Sequence, residues 1–146
     1  MLHMLSVLLF VPGLVLAVDP FHGTWKINIA KSTFSPGPAP KSGTFTVTED
    51  GGWIVGKTEM VSADGIAATT TNRFKRDGKE YPFGKGTISV RVTSDRETTS
   101  TVKQEGGNTL ILKVVISADG KTRTMTTTGK NAQGQAVKNT VVYDLQ

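Results

Sequence analysis

The sequence predicts an all-β fold, a single up-and-down antiparallel β-barrel of about 8–10 strands preceded by a signal peptide. Three observations predict this fold. Apolar and polar residues alternate along many short segments, and glycine-containing turn pairs recur at intervals of roughly 11 to 18 residues. No segment of useful length has a helical apolar period. The chain of 146 residues has the length of one domain.

Alternation with a period of two marks strands that bury one face. Between Gly86 and Val92, the residues Ile88 and Val90 take one face and Arg91 takes the other, which places Arg91 outside. We predict strands over 22–30, 43–49, 53–62, 66–76, 86–94, 97–105, 108–117, 121–130 and 135–144, with a short additional strand near 79–82.

Turn pairs such as Asp77-Gly78 and Gly106-Gly107 separate these segments. They supply the positive φ angles that tight hairpins need, so we expect consecutive strands to pair as hairpins. So many strands in one open sheet would leave long exposed edges, which closure into a barrel removes. A sandwich of two sheets is the alternative architecture.

One irregular stretch, residues 30–42, interrupts the strands. It contains Pro36, Pro38 and Pro40. Prolines at every second position force an extended backbone, so we expect a loop here rather than a helix.

The first residues have the features of a signal peptide. Residues 5–16 form an almost unbroken apolar run, and Ala17 is a small residue of the kind that precedes a cleavage site. The run is shorter than the roughly 20 residues of a membrane-spanning helix. Residues 1–4 lack the Lys or Arg that usually precedes such a run. The alternatives are an uncleaved anchor and an apolar leader that stays folded against the domain. We expect residues 1–17 to be removed and residues 18–146 to form an exported domain, periplasmic or extracellular.

Composition narrows the function classes. The 17 basic and 12 acidic residues give a net charge of +5 spread along the chain, whereas nucleic-acid binding favours a concentrated basic stripe. The absence of cysteine excludes thiolate catalysis, thiolate metal ligands, disulfides and a lipoprotein anchor. His22 is the one histidine beyond the signal, so we expect neither a metal site nor a cofactor. We expect a monomer without a membrane segment in its mature part.

The segment Gly23-Thr24-Trp25-Lys26 opens the first predicted strand. It resembles the Gly-x-Trp motif of lipocalins and, more closely, the Gly-Thr-Trp-Lys opening of fatty-acid-binding proteins. With the Phe-Ser-Pro-Gly-Pro-Ala-Pro run at 34–40, the Ala-Gln-Gly-Gln run at 132–135 and a tyrosine in the last strand, nearly all of residues 18–146 resembles small bacterial lipocalin-like secreted proteins. The resemblance implies a ligand-binding calycin barrel in which Gly23 bends the first strand and Trp25 plugs the closed end.

Two departures from fatty-acid-binding proteins affect the expected ligand. Those proteins hold a carboxylate with an arginine two residues before the terminal tyrosine, and Val141 stands at that position here, two residues before Tyr143. They also carry a helical lid after the first strand, where this chain has its proline-rich loop. An apolar ligand, a different anion-binding residue and a filled barrel therefore all remain open.

Candidate ligand-binding residues come from both ends of the barrel. Arg123 alternates with Met125 on a strand whose inward face the pattern does not decide, and a buried arginine there would need a carboxylate or a ligand. A group of basic residues lies near aromatic residues around the Asp77-Gly78 turn. It could bind an anionic surface, or it could be an ordinary solvated hairpin. Its members are Arg73, Lys75, Arg76, Lys79 and Lys85. The ligand-binding candidates are Trp25, Arg73, Tyr81, Arg123 and Tyr143.

Catalysis has few candidates. His22 and Asp19 could join a serine, but nothing in the sequence sets their geometry, and most acidic residues flank predicted turns. The function we predict is an exported binding or carrier protein for a hydrophobic or amphipathic small molecule, and not an enzyme. The alternative is a ligand-free module that binds an anionic polymer or a protein through its surface.

Overall fold

The computed structural model describes Gly13 and residues 18–146, and it forms an up-and-down β-barrel of ten antiparallel strands that is nearly closed. The predicted signal peptide lies outside the described residues apart from Gly13. The strands are β1 (Gly23–Ile27), β2 (Ser42–Asp50), β3 (Trp53–Val61), β4 (Ala67–Phe74), β5 (Asp77–Phe83), β6 (Gly86–Ser94), β7 (Glu97–Lys103), β8 (Thr109–Ile116), β9 (Thr122–Lys130) and β10 (Ala136–Leu145).

Each strand pairs with the next strand in sequence, except that β4 does not pair with β5. The sheet runs β4-β3-β2-β1-β10-β9-β8-β7-β6-β5, so the first and last strands of the chain pair with each other. Across this ladder Trp25 lies opposite Leu145, and Ile27 lies opposite Tyr143. The strands β4 and β5 lie side by side without a ladder between their described residues, which leaves one open seam.

The predicted strands agree with the observed ones to within a few residues, and the predicted barrel is confirmed. The weakest prediction, a short strand near 79–82, proves to be the seven-residue strand β5. Its signal is weak because Gly78 and Pro82 both disfavour strands. Proline is tolerated there because β5 is an edge strand beside the open seam, where a missing backbone donor costs no ladder bond.

The first strand bends where it leaves the N-terminal segment, as predicted. Gly23 has a φ of +131°, a conformation that residues with a Cβ rarely adopt. Two residues later, Trp25 is fully buried, and its indole N–H donates a hydrogen bond to the Phe21 carbonyl at 3.2 Å. The indole therefore fixes the segment that closes this end, which we call the lower end, where β1 begins.

The proline-rich loop lies at the opposite, upper end. It contains a single 3-10 turn, Ile29–Lys31, and then runs along β10, where Thr33 forms a bridge with Thr140 and the Lys138 amide donates to the Ser35 carbonyl at 2.9 Å. Pro38 and Pro40 help to line a depression at this end. The loop is thus fastened along the barrel by backbone hydrogen bonds.

The buried apolar residues form two clusters rather than one. The larger is built on β1, β2, β3, β8 and β10, and the smaller on β6 and β7, with Phe74 packed against both. The members are Phe21, Trp25, Ile27, Val47, Ile54, Val114, Ile116, Val141 and Tyr143 in the larger cluster, and Ile88, Val90 and Val102 in the smaller. A barrel packed solidly across its axis would give one cluster, so the division indicates space between them.

Among the described residues, no helix is long and apolar enough to cross a membrane.

Gly129→Ala should destabilise the barrel. Gly129 has a φ of +130°, and an added Cβ would lie 2.2 Å from the Thr109 carbonyl oxygen on β8. The positive φ and the backbone clash together should lower the free energy of unfolding by about 2–4 kcal/mol, measured by urea denaturation. The control is Thr128→Ala at the exposed neighbour, which should change stability by less than about 0.5 kcal/mol. Equal stability of the two variants would contradict this account of the β8–β9 contact.

Candidate ligand site inside the barrel

A cavity of about 290 Å³ lies inside the barrel between the two apolar clusters. Every strand from β2 to β10 contributes a side chain or backbone to it, because the residues that alternate inward on each strand meet here. The lining residues are Phe21, Phe45, Val47, Ile54, Gly56, Thr58, Met60, Asn72, Phe74, Arg76, Phe83, Ile88, Val90, Thr98, Ser100, Leu112, Val114, Arg123, Met125 and Tyr143.

The lining is mostly apolar, with a few polar groups. Thr98 and Ser100 on β7 present buried hydroxyls, and Arg76 and Arg123 present two guanidinium groups. No aspartate or glutamate among residues 18–146 lines the cavity. The cavity therefore combines an apolar wall with an unbalanced positive charge.

Arg123 lies on the lower half of β9 and is only 7% exposed. Its guanidinium carbon lies 4.6 Å from the centre of the Phe45 ring and 4.9 Å from that of the Tyr143 ring, close enough for cation–π attraction. Its Nη1 atom is buried without a hydrogen-bond partner. Burial lowers the pKa of Arg123, but a guanidinium stays protonated in proteins.

Tyr143 is opposite Arg123 in the β9–β10 ladder. Burial raises the pKa of the Tyr143 phenol and outweighs the opposing effect of the Arg123 charge. The phenol is therefore neutral near pH 7. It brings an O–H group and an aromatic face to the cavity but no negative charge.

The second guanidinium, Arg76, is already paired. Its Nη1 donates to Asp19 Oδ2 at 2.6 Å, and its guanidinium carbon lies 4.6 Å from the centre of the Phe21 ring. Asp19 Oδ1 accepts a hydrogen bond from the Phe21 amide at 2.8 Å. Burial would raise the pKa of Asp19, but these hydrogen bonds and the Arg76 charge outweigh it and hold that pKa below its ordinary value. The segment from Asp19 to Phe21 is thereby held across the lower end of the cavity.

His22 lies beside this group, with its Nε2 3.3 Å from Asp19 Oδ2. The contact lacks hydrogen-bond geometry, since Nε2 is buried with no hydrogen-bond partner. Within residues 18–146, no three or more His, Cys, Asp or Glu side chains are grouped to hold a metal ion.

The structure separates the five predicted ligand-binding residues. It brings Arg123 and Tyr143 together in the cavity, and it places Trp25 in the larger core cluster, outside the cavity lining. Arg73 and Tyr81 both contact Trp53 at the seam, in an exterior group. Tyr81 is half-buried there, because its ring also packs against the smaller core cluster. Phe45 also lines the cavity, although its alternation with polar neighbours marks it only as an ordinary core residue.

The exterior group surrounds Trp53, the first residue of β3. The Lys75 Nζ lies 4.8 Å and the Arg73 guanidinium carbon 5.6 Å from the centre of the Trp53 ring. The Tyr81 ring packs edge to face against Trp53, with 5.3 Å between the ring centres. Arg73 also pairs with Asp50 at 3.1 Å. We call Trp53, Arg73, Lys75 and Tyr81 the Trp53 cluster. Arg76, which the sequence placed in the basic patch, lines the cavity instead.

Comparisons with known proteins identify a fold relationship. No family model matches the sequence, and no curated protein matches it. A similar solved structure is the zebrafish ileal bile acid-binding protein in complex with cholic acid. It aligns with a TM-score of 0.54 and 16% identity over 87% of this chain and 99% of that chain. At this identity the likeness establishes the calycin-like barrel fold.

Asp19→Asn should show whether the carboxylate holds the lower end closed. Because the folded-state pKa of Asp19 is lowered, its stabilisation is complete above the unfolded-state pKa and is lost as the pH falls through the folded-state pKa. We expect a loss of about 1 kcal/mol at pH 7, allowing for the partial exposure of Asp19. Urea unfolding should show this difference unchanged down to about pH 5 and shrinking below it.

The matched control is Asp95→Asn at an exposed turn. It should leave stability at neutral pH nearly unchanged. A difference between the wild type and Asp19→Asn that persists undiminished at low pH would contradict the assigned role of the carboxylate.

Proposed function

We propose that this protein binds a hydrophobic or amphipathic small molecule inside its barrel and carries or sequesters it. The observation that carries this proposal is the apolar-lined cavity between the two core clusters. Barrels of eight strands have interiors that side chains can just fill. Ten strands and one open seam give this barrel a wider interior, which its side chains leave partly empty.

The size of the cavity favours a compact ligand. Small-molecule sites commonly have volumes of about 300–1,000 Å³, and this cavity of about 290 Å³ lies at the lower limit. The solved neighbour is described in complex with cholic acid, which supports a binding role for the fold. A cavity of this volume favours a medium-length chain or a small ring system over a bulkier molecule.

We also propose that the protein is exported and is not an enzyme. The apolar run at residues 5–16 followed by Ala17 supports export to the periplasm or the extracellular medium. Within the cavity, Arg123 and Tyr143 offer no general base at neutral pH, since one is cationic and the other stays protonated. Sequencing the N-terminus of the protein from the culture medium and the envelope fraction would test export directly.

Native mass spectrometry of the protein purified from its own host is the most direct test of binding. A discrete mass excess that disappears on solvent extraction would support the carrier function and reveal the ligand class. A bare polypeptide mass, with no uptake from a mixture of lipids and hydrophobic metabolites, would overturn it.

Val114→Phe should make the cavity smaller and weaken binding. Val114 is buried and lines the cavity, whereas the next residue, Val115, is 38% exposed on the outer face of β8. We expect Val114→Phe to weaken binding of a neutral naphthylamine fluorophore by about tenfold or more, because the added ring occupies ligand space. Val115→Phe is the matched control and should bind as the wild type does. Thermal unfolding verifies that both variants fold, and equal affinity in both would place the binding elsewhere.

A second candidate function is docking on an anionic surface through the Trp53 cluster and Lys79. The two cations beside Trp53 support it, since aromatic and basic residues together favour membrane interfaces. Arg76 belongs to the same basic segment of the sequence, but it lines the cavity and would not contact the anionic surface. If the protein docks in this way, the side of the barrel with the seam faces the anionic lipid.

Lys75→Glu should test that candidate. We expect it to reduce binding to vesicles rich in anionic lipid, and we expect wild-type binding to fall as salt rises from about 0.05 M to about 0.5 M, because exposed charges are screened. Lys130→Glu makes the same charge change at the exposed end of β9 and serves as the control. Binding that is indifferent to salt, or equal loss in both variants, would count against docking by the Trp53 cluster.

A further inference from the structure

Arg123 carries a charge that no described residue matches. It is absent from the seven ion pairs found among residues 18–146, and its Nη1 is buried without a hydrogen-bond partner. The desolvation penalty of a buried cation is large unless an anion or several hydrogen bonds offset it. The Phe45 and Tyr143 rings offset only a part, since cation–π attraction is weaker than an ion pair.

The other groups around the cavity cannot supply the missing negative charge. Tyr143 holds its proton near pH 7 because burial raises its pKa. Arg76 has the same sign as Arg123, and its own charge is already matched by Asp19. In the part of the chain that the structure describes, no carboxylate side chain lines the cavity. The balancing anion must therefore come from outside the described chain.

The chemistry of the guanidinium favours one kind of anion. Its carbon lies 4.6 Å and 4.9 Å from the centres of the Phe45 and Tyr143 rings, and its Nη1 has no hydrogen-bond partner among the described residues, so it retains N–H donors that this part of the chain leaves unpaired. Two N–H groups on the edge of a guanidinium match the two oxygens of a carboxylate in one plane. Beyond Arg123, the cavity wall is apolar, with Ile54, Phe74 and Val90 among its residues.

We infer that the ligand of this cavity is a carboxylic acid with a compact apolar tail, and that Arg123 on β9 binds its carboxylate. This inference rests on the proposed function, since it names the class of the molecule that the barrel carries. The tail fills the space between the two core clusters. The carboxylate lies in the lower half of the barrel beside Tyr143, at the end away from the proline-rich loop.

Matched ligands that differ only in charge provide the test. Decanoate and decanol would be titrated at pH 7.4 against the wild-type protein loaded with the neutral naphthylamine fluorophore. We expect decanoate to displace the fluorophore at concentrations about tenfold or more lower than decanol, because only decanoate pairs with the guanidinium. Decylamine should compete more weakly than decanol, because its charge has the same sign as Arg123.

Arg123→Met removes the charge and keeps an unbranched side chain of similar length. It should bind decanoate no more tightly than decanol, so that the preference for the acid is lost. Arg123→Lys retains a charge without the planar edge and should keep part of the preference. Arg91→Met, on the exposed outer face of β6, is the control and should keep the preference entirely.

A stability measurement distinguishes a ligand-binding arginine from a structural one. Without ligand, Arg123→Met should unfold at the same or a higher temperature than the wild type, because a buried unmatched charge has been removed. Decanoate should raise the unfolding temperature of the wild type and not that of Arg123→Met. Marked destabilisation of Arg123→Met in the absence of ligand would assign Arg123 a structural role and overturn the inference.

The outcomes separate the two levels of the proposal. If the wild type binds the fluorophore and prefers decanol to decanoate, or binds them equally, the barrel carries small molecules but the acid inference is wrong. If it binds neither the fluorophore nor either decyl ligand, the proposed carrier function itself fails. The wild-type comparison decides this even if Arg123→Met does not fold.

Discussion

β1 is only five residues long, yet it is hydrogen-bonded to β2 along one edge and to β10 along the other. This double pairing joins the two ends of the chain and turns an open sheet into a barrel, which removes two edges that would otherwise be free to pair with other chains. It also sets the register of β10. With Ile27 opposite Tyr143, the phenol is directed inward, and Arg123 follows it because the β9–β10 ladder places the two residues opposite each other.

The space inside the barrel depends on what happens at the other side of the sheet. Between β4 and β5 no ladder forms among the described residues, and most of β4 is exposed. A hydrogen-bonded seam would bring these strands to the ordinary spacing of about 4.8 Å and draw the facing walls together. The seam instead leaves the β6–β7 cluster separate from the larger cluster, and the cavity lies between them. The Trp53 cluster lies across this seam on the outside.

Much of the barrel could be predicted from the sequence, because period-two alternation and glycine turns are local signals. The strand segments and the extended proline-rich loop depend on residues close together in the chain, whereas the bend at Gly23 was implied by the resemblance of its motif. The cavity could not be predicted in the same way. Whether inward side chains meet across a barrel depends on the sum of their volumes and on the seam, and neither is a property of one segment.

The candidate site shows the same division between local and long-range information. The sequence marked Arg123 and Tyr143 as candidates but could not decide which face of β9 was buried, since threonines alternate with both Arg123 and Met125. The ladder to β10 decides it. Arg76 illustrates the opposite case: its neighbours in sequence suggested a surface patch, whereas a contact with Asp19, far away in the chain, draws it to the cavity.

Arg123 is the position where local pattern and burial disagree most strongly. Its inward neighbours along and across the sheet, Met125 and Ile116, are apolar, and an apolar side chain would suit the same place without any desolvation penalty. A sequence shaped only by stability would have no reason to keep a charge there. Disagreements of this kind are expected where a protein performs its function, and this one lies on the wall of the cavity. The charge is therefore better explained by what enters the barrel than by what holds it together.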